Sequence, residues 1–210
     1  MDIDTFSNYL DSVLVCLMFF LFLAIWKWKR IAQARLTGID PEVIRNSSNR
    51  LQKYIYRIFR FFGIYAIFLI IAHTFKFDFF SFFSIWEYTN SHLFDLLGFS
   101  VGIFGLAICF WAQKEMGNSW RVGIDVENQT DLITSGLFKI IRNPTYSGLL
   151  MLFLGLWLIW SSWAVSLQFI LFFLIIEVQV RCEEEYLHAE HGDKYLEYIR
   201  SSFRYLPYVY

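Results

Sequence analysis

Long apolar runs alternate along the chain with short polar segments rich in cations. The runs cover roughly residues 13–26, 59–75, 93–112, 146–160 and 163–180. A helix that crosses a bilayer core needs about 20 residues, and about 17 are tolerated. Backbone groups that face lipid have no water to bond, so runs of this kind form helices. The first three reach the required length with their flanks. The last two are shorter and are separated only by Ser161 and Ser162, which predicts a tight helical hairpin. The pattern therefore predicts an all-α membrane protein with about five transmembrane helices. Residues 181–198 carry Tyr186, Leu187, Tyr195 and Leu196 among charges, which predicts an amphipathic helix at the carboxyl end.

Composition agrees with this pattern. The chain of 210 residues is 57% hydrophobic and 21% aromatic, too apolar for an ordinary soluble domain. The acidic amino terminus (Asp2, Asp4, Asp11) lacks the basic start and small-residue cleavage site of a signal peptide, so the first run is expected to be a mature span. Seventeen of the eighteen Lys and Arg residues follow the first, third or fifth run, and only Lys76 lies on the other side. The positive-inside rule then predicts an outer amino terminus and a cytoplasmic carboxyl terminus. This orientation requires an odd number of spans, in agreement with five. Residues 1–112 are expected to form a transmembrane region with a basic cytoplasmic loop at 27–60, whose main role is topological. Residues 113–210 are expected to carry the chemistry. No basic patch interleaved with aromatics lies outside that loop, so nucleic acid is not an expected partner. Cys16 and Cys109 fall in spans and Cys182 on the reducing side, so no disulfide is expected.

The densest polar motif is the run from Leu132 to Gly148, LITSGLFKIIRNPTYSG. Asn143 is placed to cap the fourth span and Pro144 suits its first turn. Asn143→Asp should then preserve the cap. A helix start facing the cytoplasm attracts a carboxylate or phosphate. Gly136 and Gly148 permit close approach of a ligand or a second helix, Phe138 and Tyr146 offer flat surfaces for a purine, and Arg142 offers a bidentate clamp. Glu177 lies near the inner end of the fifth run, where Arg181 at i+4 is placed to pair with it. Glu183, Glu184 and Glu185 diverge by about 100° per residue, so they face different ways. Glu185-x-x-His188 has metal-ligand spacing, but a bundle site needs a second such motif and none is present. No metal is expected.

The run Leu132–Gly148 resembles the signature of the isoprenylcysteine carboxyl methyltransferase-like family of integral membrane methyltransferases. The same resemblance extends to Met116-Gly117-Asn118-Ser119-Trp120-Arg121 and to the distal Arg181-x-Glu183-Glu184-x-x-Leu187 with His191-Gly192-x-x-Tyr195-x-x-Tyr198. It covers roughly residues 113–207. It implies S-adenosyl-L-methionine as methyl donor, bound on the cytoplasmic side, and a lipophilic or lipid-anchored acceptor arriving from the bilayer. Carried over, the donor contacts fall on Leu132, Ile133, Gly136, Phe138, Asn143, Pro144, Tyr146, Glu183 and Glu184. Arg142 and Arg181 are the expected catalytic positions, with Arg142 on the donor's carboxylate and Arg181 or Arg121 on an anionic acceptor. Asn143 stands where the family usually has His, and Phe138 where it has Tyr. An Asn side chain does not titrate. The acceptor stays open between a prenylated cysteine carboxylate, a phospholipid amine and an isoprenoid thiol. An NADPH-dependent sterol-reductase-like enzyme and a non-enzymatic membrane protein are the competing readings.

Overall fold

The computed structural model describes residues 9–77, 80–128 and 130–208; Asp2 and Asp4 lie outside them. Among the described residues the chain is all-helical. α1 spans Leu10–Thr37, α2 Arg50–Thr74, α3 His92–Met116, α4 Pro144–Ile159, α5 Trp163–His191 and α6 Asp193–Ser201. Four of these, α1, α2, α3 and α5, are long and apolar enough to cross a membrane. α4 has 16 residues, about 24 Å of helix, slightly short of a hydrocarbon core of about 30 Å.

The contacts nevertheless show that α4 runs from one end of the bundle to the other. At its far end Trp86 N–H donates to Ser161 O (2.8 Å) and Ala164 N–H to Phe82 O (3.0 Å), so the α4–α5 turn meets the α2–α3 connection. The Trp160 indole also donates to Asp11 at the start of α1 (2.8 Å). Five helices thus alternate in direction. The turn is the predicted hairpin, and the Ser162 hydroxyl caps α5 at Val165 N–H (3.4 Å).

Two expectations need correction. The segment 27–60 is not one loop, because Lys27–Arg30 continue α1 and Arg50 opens α2. Only 38–49 lies between those helices, and Asn49 caps α2 through Leu51 N–H (2.8 Å). Nor is 181–198 one amphipathic helix. α5 continues through 181 to His191 without a break, since nothing in that stretch opposes helix. The chain then turns at Gly192 (φ +55°), and α6 is the separate amphipathic piece.

α3 and α4 pack backbone against backbone. A Cβ on Gly98 would stand 2.5 Å from Gly155 O, and one on Gly105 2.5 Å from Gly148 O. Where lipid tails are as apolar as the helices, small residues that let backbones meet are what make association favourable. The close approach of Gly148 is therefore to a second helix. Apolar side chains fill the rest. One cluster at the hairpin end includes Val15, Met18, Leu69 and Trp160; another nearer the opposite end includes Phe62, Phe172 and Ile176.

Candidate active site

The connection from α3 to α4 is anchored from below by Glu115, which accepts from Leu137 N–H (2.7 Å). Gly136 adopts φ +61°, and a Cβ there would collide with the Glu115 carboxylate. Both facts demand glycine at that position. The short 3-10 turn Gly136–Lys139 then buries Phe138, whose carbonyl accepts from Tyr198 O–H of α6 (2.6 Å).

Arg142 is held rigidly. Its Nε donates to Glu184 (2.7 Å) and its Nη1 to Ser202 O (2.7 Å), while its backbone N–H donates to Phe203 O (2.8 Å). Arg204 binds the same Glu184 through Nη2 (2.7 Å). Glu184 is thus a buried carboxylate between two guanidiniums, the arrangement in which a desolvated charge is sustainable. Pro144 opens α4 as expected, but Asn143 makes no side-chain cap. Its amide donates to the Glu184 carboxylate instead (3.1 Å).

The three consecutive glutamates separate as predicted. Glu184 faces the arginines, Glu185 is exposed, and Glu183 faces inward. Glu183 Oε1 accepts from Tyr146 O–H (2.7 Å) and Gln179 Nε2 (2.7 Å). Gln179 Oε1 accepts from Gln52 on α2 (3.0 Å), and Gln52 in turn accepts from Ile124 N–H (3.4 Å). This chain of amides was not foreseen. Its signal was available, since Gln179 sits one turn before Glu183 inside an apolar run. The role of the tail residues Ser202, Phe203 and Arg204 had no comparable signal.

A cavity of about 500 Å³ opens beside this constellation. Leu132, Ile133, Phe138, Arg142, Asn143, Pro144, Tyr146 and Glu183 all line it, with Arg121, Gln179 and Tyr195. Gly136, Glu184 and Arg181 do not. The first two act from behind the wall. Arg181 is 60% exposed and pairs with Glu177 (3.0 Å), the expected i,i+4 contact. Arg121 pairs with Asp125 (3.1 Å). Burial would raise the Asp125 carboxyl, but hydrogen bonds from Asn128 and Arg121 hold it below the usual range. Below the polar end the walls become apolar and come from α1, α2, α4 and α5. The cavity therefore draws on both sides of the expected boundary at 112/113.

The polar end offers negative charge to a cationic group. A carboxylate anchored by two donors faces the space, and flat or branched apolar side chains flank it. Comparison with curated proteins finds no match. The phospholipid methyltransferase family matches residues 93–194, from the start of α3 into α6. The matched span, just under half of the chain, holds the glycine-packed helix pair, the polar motif at 132–148, the hairpin and Glu183.

Proposed function

We propose that the protein transfers a methyl group from S-adenosyl-L-methionine to the polar head of a lipid acceptor, at the cytoplasmic face of the membrane. The observation that carries this reading is the inward-facing Glu183, fixed by Tyr146 and Gln179 at the polar end of a cavity that becomes apolar. Charge asymmetry supports the orientation, since the cation-rich segments share this end of the bundle.

When bound, the donor would supply a methyl on a sulfonium: the acceptor's lone pair would bond to that carbon in line as the C–S bond breaks, with the sulfur leaving as the neutral thioether of S-adenosylhomocysteine. The residues bind and orient. Glu183 offers its charge to an ammonium, while Leu132, Ile133 and Phe138 offer apolar contact to a nucleoside. Arg142 keeps Glu184 from competing for that ammonium, because Glu184 is saturated by Arg142 and Arg204. The apolar wall excludes water and directs the acceptor's head toward the donor at the polar end. Positioning of this kind is the main requirement for a displacement of this type.

An amine acceptor is the favoured class. With Arg121 paired to Asp125, Arg142 to Glu184 and Glu42 to Arg30, the charged lining is left with Arg60 against Asp131 and Glu183, an excess of negative charge that favours a cationic or amine head. The family description points the same way. Titration of the purified protein with S-adenosylhomocysteine and, separately, NADPH tests the reading. Saturable binding of the first alone is expected; binding of NADPH alone overturns it. Incubation with labelled donor and either phosphatidylethanolamine or an S-prenylcysteine then assigns the acceptor class.

A further inference from the structure

The cavity does not end at the polar constellation. On α4 and its C-cap the lining runs from Tyr146 to Trp160, fourteen helical steps or about 21 Å. On α1 it runs from Trp26 to Val15 and on α2 from Tyr56 to Ile70. Half a hydrocarbon core is about 15 Å, so the far end lies past the bilayer midplane. There the space closes. Val15 is 3% exposed, Met18 2%, Leu69 1% and Trp160 0%.

Trp160 is held unusually firmly for an apolar floor. It follows the last residue of α4, its indole donates to Asp11 of α1 (2.8 Å), and its ring stacks on His73 of α2 (4.6 Å between centroids, 13° between planes). Three helices thus fix one ring across the end of the limb. The volume of about 500 Å³ serves both the donor's head and whatever fills the limb.

We propose that Trp160 is a chain-length stop: the limb receives hydrocarbon of the acceptor, and the pinned indole sets the longest tail that fits. This rests on the lipid-acceptor reading and adds to it the part of the molecule that measures the substrate. A tail that stays within the limb gains affinity with each methylene buried, roughly fourfold per methylene. A tail that reaches the indole gains nothing from further length.

The test uses lysophosphatidylethanolamines and S-alkyl N-acetylcysteines of graded tail length, with binding to the full-length protein in detergent as the readout. In the parent, affinity rises with length and then levels at a limit. Trp160→Leu moves the limit to longer tails. Ala66→Leu, which adds bulk to the limb wall on α2, moves it to shorter ones and carries the test if the first variant does not fold. A limit shared by both series places the measurement on the tail, whichever head is native. The same limit in all three proteins, or no limit in the parent, overturns the proposal. S-adenosylhomocysteine binding is measured in parallel. Its absence with the limits intact removes the methyltransferase reading and leaves the stop; its presence with unmoved limits does the reverse.

Discussion

α3 to α6 and the pair α1–α2 contribute to the same cavity by different physical means. In the carboxyl-terminal part, backbones touch at Gly98, Gly105, Gly148 and Gly155, and charged groups are tied in a closed set around Glu184. α1 and α2 supply mostly side chains, among them Phe19, Phe22, Phe59 and Phe62, to the apolar limb. Only the first part carries the family match. Where atoms must be placed to fractions of an ångström, the geometry tolerates few residue types and leaves a signature. Where a wall needs only to be apolar and of the right bulk, many sequences serve. On the proposed function, chemistry would fall to one part and acceptor selection to the other.

Substitutions separate the two. The largest effect is expected from Glu184→Ala, which strands Arg142 and Arg204 together in a buried position. Removing one partner of a buried ion pair costs about 3–5 kcal/mol. Thermal unfolding in detergent checks this, and a variant as stable as the parent would mean the cluster is solvated. Next is Gly155→Leu, whose Cβ meets Gly98 O at 2.5 Å. Overpacking of this kind costs about 1–3 kcal/mol, occasionally more, and is read in the same melt. Neither loss has a counterpart on α1 or α2, where Phe19→Leu should change acceptor preference with S-adenosylhomocysteine affinity retained.

A smaller effect sharpens the role of Asn143. Both Asn and Asp cap helices well, so a capping role predicts no loss for Asn143→Asp. The structure reverses that expectation, because the side chain lies 3.1 Å from the Glu184 carboxylate. The substitution replaces an attractive contact by a repulsive one, and a melting temperature several degrees lower is expected. The smallest effect belongs to Arg181→Ala. An exposed i,i+4 pair is worth under about 1 kcal/mol, and the residue is outside the cavity lining. Stability and turnover should both stay near the parent's; a large loss of turnover would restore Arg181 to the reacting end.

Much of this was legible in the sequence. Hydrophobic run lengths located the helices, and Ser161-Ser162 marked the hairpin, because membrane helices obey a simple length rule. The polar motif and Glu183 were legible for a related reason, since polar residues are costly at a helix mouth and stand out. The direction of Asn143 was not, because local capping rules ignore a carboxylate forty-one residues away. The break at Gly192 was missed because residues 181–191 fit both a membrane helix continued and an amphipathic helix begun. Trp160 carried no signal of its own in the sequence, because its hold depends on Asp11 and His73 of other helices.

The most direct measurement is S-adenosylhomocysteine affinity for the parent and for Glu183→Gln, with the thermal stability of each measured without ligand. Gln keeps the shape and can still accept from Tyr146, so the fold should hold. Loss of the charge should weaken binding at least tenfold, equivalent to about 1.4 kcal/mol. Equal affinity in the two proteins, or no saturable binding in the parent, would contradict a methyl-donor site built around Glu183.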